Sequence, residues 1–363
     1  MSDKLKVGLI GGTGMVGQRL ACLLENHPWF EIKVIAASKK SSGLTYEQGV
    51  KNRWKMASPI PQNLKQLIIR DSSKIEEISR EVDFVFCAIS LNKEETKILE
   101  EQYALNEVPV ISCNSANRNI ADVPMVIPEI NGDHIEIIKA QRKRLGIKNG
   151  FIAVKPNCSI QSYVPAISAL LEYKPNRILA CTYQAISGSG KNFEDWPEMV
   201  DNVIPYIAGE EEKSENEPLK IWGKIEGSEI INAKKPVITT QCIRVPITDG
   251  HLAAVFVSFD QKPSKEEIIS LWENYSIKAS VKDLPSAPEK FLHYFKEPDR
   301  PQTRLDRNFE KGMGITIGRL RADKVFDYKF VCLSHNTLRG AAGGALLIAE
   351  LLKSEGFIKG KEC

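Results

Sequence analysis

Cys158 is the side chain whose surroundings most suggest covalent chemistry. It stands in Lys155-Pro156-Asn157-Cys158-Ser159, after a strand-like apolar run at 151–154 and before a run at 160–173 with helical patterning. That order predicts a cysteine at a helix N-terminus, where the macrodipole favours thiolate and free backbone N–H groups can meet a developing oxyanion. Thiolate is the form that attacks carbonyl carbon. A free thiol of pKa about 8.5 is only a few per cent ionised at neutral pH, so a base is expected beside it. His251 is the candidate. It follows Thr248-Asp249-Gly250 at a turn between two strand-like runs, and Arg244 lies seven residues earlier on the incoming strand. A histidine in a turn is ordinarily solvated surface; His27, His134 and His293 read as structural, and nothing in the sequence supports a role for His335. Cys22, Cys87, Cys181, Cys242 and Cys332 read as small buried hydrophobes.

A second constellation is Gly11-Gly12-Thr13-Gly14-Met15-Val16-Gly17, set between a strand at 6–10 and a helix at 16–26. Gly12, Gly14 and Gly17 satisfy GxGxxG in the context the motif requires. Glycine permits the tight turn, lets backbone N–H groups approach a pyrophosphate, and lets helix pack on strand. The strand at 32–37 ends in Ser38-Lys39-Lys40-Ser41-Ser42 and not in an acid. Hydroxyls and cations there suit a 2′-phosphate, which favours NADP over NAD and puts Ser38 and Ser41 among the expected contacts.

These residues must be carried by an α/β chain. Runs at 6–10, 16–26, 32–37, 83–89, 93–106 and 108–112 alternate strand and helix patterning. Near-continuous apolar strands such as 84–89 imply a parallel sheet covered on both faces, a Rossmann-type doubly wound domain. Beyond residue 150 the runs at 178–186, 237–245, 252–259, 314–320 and 327–333 mix alternation with apolar stretches, which predicts an α+β domain with a mixed sheet. A polar acidic stretch covers 209–217, and Ser264 with Glu267 forms a capping box. The small-residue run at 340–344 opens a final helix expected to return to the first domain. The predicted division is 1–150 with 336–363 for the dinucleotide domain and 151–335 for the catalytic and dimerisation domain, each with its own core.

Composition narrows the partners. The 363 residues carry 49 basic and 46 acidic side chains, a net charge of +3, which gives no case for nucleic acid or an anionic membrane. No apolar stretch approaches the roughly 18 residues of a membrane span. The eight cysteines (22, 87, 113, 158, 181, 242, 332 and 363) form no CxxC pair and the five histidines no HxxxH pair, so no metal is expected. With no signal-peptide core at the start, a reducing cytoplasm is expected.

At these residues the sequence resembles the aspartate-semialdehyde dehydrogenases of the archaeal and fungal branch, over essentially its whole length. The likeness rests on Gly11 through Gly17, Pro156-Asn157-Cys158-Ser159, and Gln184 with the following Ala185-Ile186-Ser187-Gly188-Ser189-Gly190. It extends to the segment from Arg244 to His251, Arg300-Pro301-Gln302, and the segment from His335 to Gly344. The resemblance implies reversible, NADP-dependent reduction of L-4-aspartyl phosphate to L-aspartate 4-semialdehyde through a Cys158 thioester. That reaction is the second step from aspartate toward lysine, methionine and threonine. It implies His251 as acid/base, Gln184 as the group orienting the acyl chain, and Asn157 as a substrate contact. It adds Thr13, Met15, Val16, Ser187, Gly188 and Asn336 to the cofactor contacts, and a homodimer or homotetramer joined through the second domain's sheet.

The charges of aspartyl phosphate suggest partners on their own account. Its α-carboxylate suits the planar fork of Arg244, and its ammonium suits a carboxylate within Glu210-Glu211-Glu212, of which the resemblance favours Glu210. The phosphate suits cations, and the resemblance implies Arg118 and Lys213 as that pair. The plainer alternatives are an acidic surface run and a structural ion pair. Enzymes of the same fold acting on malonyl-CoA or N-acetylglutamyl phosphate, or a non-catalytic NADP sensor, are the rival readings. A malonyl-CoA enzyme has no ammonium or phosphate to bind and would not need Glu210, Arg118 and Lys213.

Overall fold

The near-continuous apolar runs of the first half become one parallel sheet. In the computed structural model, which describes residues 4–361, strands β1 (Leu5–Ile10), β2 (Phe30–Ala37), β3 (Arg70–Asp71), β4 (Phe84–Cys87), β5 (Pro109–Ser112) and β6 (Phe151–Val154) lie in the order β3-β2-β1-β4-β5-β6. All neighbouring pairs are parallel. This is the doubly wound order, with its switch point between β1 and β4, where ligands bind beyond the carboxyl ends of the strands. Strands β4, β5 and β6 are buried at every position because helices cover both faces.

The second sheet is mixed. It contains β7 (Pro175–Gln184), β10 (Val237–Arg244), β11 (His251–Phe259), β12 (Leu292–Phe295), β13 (Ile315–Ala322) and β14 (Tyr328–Ser334) in the order β10-β7-β11-β14-β13-β12. A hairpin of β8 (Lys224–Glu226) and β9 (Glu229–Ile231) stands apart. Strand β11 runs antiparallel to both β7 and β14, while β10 and β7 are parallel. Side chains alternate in burial along β7 and β11. The register pairs Leu252 with Tyr183, Ala254 with Cys181 and Phe256 with Leu179, so one face of the sheet carries a half-exposed apolar patch.

Three expectations need correction. Strand β6 is hydrogen-bonded to β5 and closes the parallel sheet, so a boundary between residues 150 and 151 cuts off an edge strand that belongs to the first unit. The acidic stretch at 209–217 is the start of a helix, Glu210–Ile221, opened by Gly209 in the left-handed conformation at φ 68°. The apolar clusters also do not divide one per sequence half. One runs from one face of the parallel sheet (Val34, Val85, Val110) through Ile160, Tyr163 and Ile167 to the mixed sheet (Ala180, Val255, Phe330). The other packs the opposite face of the parallel sheet against the C-terminal helix Gly343–Ser354. Cys363 lies outside the described residues. Among the described residues no helix is long and apolar enough to cross a membrane, and no group of three or more His, Cys, Asp or Glu could hold a metal ion.

A buried ion pair ties the C-terminal segment to the first unit. Arg339, in the π-helical turn Leu338–Ala342, bonds Glu129 and donates Nε–H to the Met313 carbonyl (3.1 Å); both charged side chains are almost wholly buried. Removing the cation strands the carboxylate in the core. Arg339→Leu should destabilise the fold by about 3–5 kcal/mol, seen as an earlier urea midpoint; an unchanged midpoint would show that Glu129 finds another partner.

Candidate active site

Cys158 lies beyond the end of β6, but not at a helix N-terminus as expected. Residues 158–163 form consecutive turns, and the helix that follows, Val164–Ser168, is five residues long. Cations take the place of the dipole. Burial first, and then the Glu210 carboxylate, push the Cys158 thiol above its ordinary pKa, while Lys155, Arg118 and Arg244 pull it down. The free protein therefore holds the thiol protonated, with three positive side chains placed to favour thiolate once the opposing charge of Glu210 is met. Cys158 as a whole residue is half-buried.

His251 is the first residue of β11 and is fully buried. Its Nε2 is 3.5 Å from Cys158 Sγ. The backbone N–H of Ala185 donates to its Nδ1 (3.0 Å), which fixes the other nitrogen, Nε2, as the one that carries the proton in the neutral ring. Burial, followed by the Arg244 charge, pushes the His251 pKa down to about 3. The ring is thus a neutral donor aimed at sulfur. This differs from the base expected from the sequence: an imidazole whose Nε2 already holds a proton cannot take another from the thiol without giving up the Ala185 contact.

The charged groups form a connected ring around the Asn157–Cys158 corner. Glu210 is the buried member of its acidic triplet, whereas Glu211 turns to the backbone N–H of Cys242 (3.2 Å) and Glu212 is exposed. The Glu210 carboxylate accepts from Asn157 Nδ2 (3.0 and 3.1 Å), Gln184 Nε2 (3.2 Å) and Lys213 Nζ (2.9 Å). Burial raises its pKa, but Lys213 and these donors outweigh it and hold the group below the ordinary carboxylate range, so it is charged at neutral pH. Gln184 ends β7 and is oriented from behind by Thr182 Oγ1, which donates to its Oε1 at 3.0 Å. Arg244 ends β10, is buried, and donates from Nη1 to the Ala185 carbonyl (2.7 Å). Arg118 reaches the same corner through Glu217 (2.8 Å). Arg118, Lys213, Glu217 and Lys220 all line one cavity of about 570 Å³.

The glycine loop sits at the switch point. Gly11 has φ +87°, and a Cβ there would lie 2.6 Å from the Ala88–Ile89 backbone beyond β4. A Cβ on Gly17 would meet Gly11 O at 2.4 Å, so the helix packs directly on the loop. Gly14 is the N-cap of the helix Met15–Leu24, and a Cβ there would meet nothing nearer than 3.5 Å, which leaves that backbone open to approach. Thr13, Met15 and Val16 complete this loop and first turn. Ser38 is exposed, and the buried Ser41 accepts from Arg53 Nη2 (3.3 Å), a cation the sequence reading did not single out. This set stands apart from the charged ring. The second cofactor loop does not: a Cβ on Gly188 would touch Arg244 Nη1 (2.9 Å) and His251 Nε2 (3.2 Å). Asn336 fastens it, donating to Ser187 Oγ (2.8 Å) and accepting from Gly250 N–H (2.8 Å), one residue before His251.

Three residues at the corner were not singled out from sequence. Lys155 is buried, donates from Nζ to the Pro156 carbonyl, and has its pKa lowered to about 8 by burial first and by Arg118 next. Its signal is its place three residues before the cysteine. Gly340 lies against the nucleophile, since a Cβ there would come within 2.8 Å of Cys158 Cβ. Glu217 is the third. Its spacing of seven from Glu210 puts both on one helix face, a pattern visible only once 209–217 is read as helix.

Comparison with known proteins identifies the family. The family description "Semialdehyde dehydrogenase, NAD binding domain" matches residues 6–138, and "Semialdehyde dehydrogenase, dimerisation domain" matches 165–339. The chain is 40% identical to the aspartate-semialdehyde dehydrogenase of Archaeoglobus fulgidus, over 98% of this chain and 100% of that one. It is 38% identical to that of Aspergillus fumigatus, over 98% and 99%. Among solved structures, aspartate semialdehyde dehydrogenase with NADP from Candida albicans superposes with a TM-score of 0.88 at 34% identity, covering 98% of this chain and 100% of that chain.

Proposed function

The chain belongs to the aspartate-semialdehyde dehydrogenase family, and on that footing we propose that it interconverts L-4-aspartyl phosphate and L-aspartate 4-semialdehyde, with NADP as redox partner and phosphate as leaving group or nucleophile. The observation that carries this reading is the 3.5 Å approach of His251 Nε2 to Cys158 Sγ inside a ring that holds both an acid for an ammonium and cations for a carboxylate and a phosphate.

The substrate ammonium meets Glu210, its α-carboxylate the fork of Arg244, and its phosphate Arg118 and Lys213. Ammonium binding offsets the carboxylate that raises the Cys158 pKa, so the substrate itself helps to ionise the nucleophile. The thiolate attacks the acyl carbon, the C–S bond forms, the C–O bond to phosphate breaks, and the thiol proton leaves with the released phosphate as hydrogen phosphate. Gln184 and Asn157 orient the acyl group. The loop from Gly12 to Gly17, Ser38 and Ser41, and Ser187, Gly188 and Asn336 would hold the dinucleotide, which when bound would supply hydride to the thioester carbon. The Nε2–H of His251 then donates a hydrogen bond to the oxyanion of the thiohemiacetal, and as its C=O re-forms the C–S bond breaks, releasing aldehyde and the Cys158 thiolate. The nucleotide loop fits this cofactor because Gly17 lets the helix close on it and Gly14 leaves its backbone clear.

The reaction belongs to amino-acid biosynthesis on the route to lysine, methionine and threonine, and we place it in the cytoplasm. The half-exposed apolar face of the mixed sheet, carrying Tyr183, Leu252 and Phe256, supports pairing of two copies as a homodimer, with a tetramer as a dimer of such dimers. The test is NADP reduction with the semialdehyde in the presence and absence of phosphate, beside NADPH oxidation with malonyl-CoA. Phosphate-dependent turnover with the first and none with the second is expected. Malonyl-CoA reduction without a phosphate requirement would reassign the substrate.

A further inference from the structure

Four of the seven charged side chains on the helix Glu210–Ile221 stand at positions 210, 213, 217 and 220, a spacing that puts them on one face. The first two belong to the substrate ring already described. The other two face the phosphate arginine. Glu217, buried, accepts from Arg118 Nη1 with Oε1 (2.8 Å) and from the backbone N–H of Asn157 with Oε2 (2.6 Å). Lys220 donates to the carbonyls of Arg118 (2.7 Å) and Ile120 (2.6 Å), fixing the backbone that carries the guanidinium. Arg118 Nη2 reaches the Cys113 carbonyl (3.3 Å), and Nε is buried with no partner among the described residues. One carboxylate therefore spans the arginine and the residue before the nucleophile.

From this geometry we infer that Glu217 is a positioning residue that aims Arg118 at the phosphate and ties that aim to the Asn157–Cys158 corner. The inference rests on the reading of Arg118 as a phosphate ligand in the proposed reaction. A guanidinium held by one edge presents its remaining donors in a fixed direction, and the unmade Nε–H bond is one that a phosphate oxygen can complete. Because the same carboxylate holds the Asn157 N–H, displacement of Arg118 loosens the nucleophile's own backbone. Glutamine at 217 keeps the volume but has a single acceptor oxygen, so it cannot hold both donors.

The test is Glu217→Gln in the full chain, assayed in the phosphorylating direction with phosphate varied. The KM for phosphate should rise by about tenfold or more, the scale of one charge-assisted hydrogen bond, while the KM values for semialdehyde and NADP stay within about twofold. A role in folding alone would instead lower kcat through a smaller active fraction and leave the phosphate KM unchanged. Combined with Arg118→Lys, the Glu217→Gln change should add nothing further to the phosphate KM, since it acts through that arginine; additive effects would overturn the inference. Should Glu217→Gln fail to fold, Glu217→Asp, which keeps the charge and loses the reach, is expected to show the same phosphate-specific rise, and an unaltered phosphate KM there would overturn it. Failure of the underlying reading is distinguishable, because it would appear in the unaltered protein as turnover that does not depend on phosphate.

Discussion

Cys158→Ala should abolish turnover in both directions, with a loss on the order of 10⁴-fold or more in kcat, while NADP binding and the melting temperature stay close to those of the unaltered protein. The expected loss is large because the sulfur forms the covalent bond; no neighbouring side chain can replace it. Ser159 is buried, and its hydroxyl is engaged with Asn157 Oδ1 (2.6 Å) and Ser214 (2.8 Å). The environment of the thiol also sets an expected pH response. Burial and Glu210 hold Cys158 above the ordinary thiol range in the free protein, so its alkylation should accelerate only toward alkaline pH, and an amino acid that fills the Glu210 site should shift that acceleration downward. A Cys158→Ala variant that keeps measurable semialdehyde oxidation would show that this sulfur is not the nucleophile.

His251→Asn should keep thioester formation but slow turnover by on the order of 10² to 10⁴-fold, the range for losing a positioned proton donor. Asparagine preserves a hydrogen-bonding side chain but cannot both accept from Ala185 N–H and reach the position of Nε2–H. The pH profile separates this role from that of a general base with an ordinary pKa. Because burial and Arg244 push His251 down to about 3, the ring is neutral throughout the range above that value and its charge changes only near pH 3. The acid side of the kcat/KM profile should therefore show no step near pH 6.5 that vanishes in His251→Asn. A step of that kind would mean that the imidazole is freely titrating and that the Ala185 contact does not fix its tautomer.

Much of this site was legible before the fold was seen, and the reasons are local. Gly17 is set by a steric contact with Gly11 and Gly12 a few residues away, so the motif and its flanking strand and helix suffice to read it. The parallel strands announced themselves because burial on both faces leaves unbroken apolar runs. The less legible parts depend on distant partners. Val164–Ser168 looked longer in sequence because 160–173 has helical patterning, yet Ser162 Oγ bonds the Ser159 carbonyl and Asn157 Oδ1 takes the Ser159 N–H, so side chains hold turns where a helix was expected. Strand β6 was assigned to the wrong unit because four residues carry no sign of which sheet they will join. The helix Glu210–Ile221 was hidden by its charges, which looked like surface until Asn157, Gln184 and Arg118 were found to face it. The proton position on His251 could not be read from sequence at all, since it follows from the backbone N–H of Ala185, sixty-six residues away.

The central claim is that Cys158 carries the acyl group between its two reaction partners. Mass measurement of the protein after incubation with aspartate semialdehyde and NADP, without phosphate, tests it most directly. One acyl equivalent should be found on the peptide containing Cys158, with a matching amount of NADPH formed, and phosphate added afterwards should discharge it. NADPH formation with Cys158 unmodified, or an adduct confined to another side chain, would contradict it.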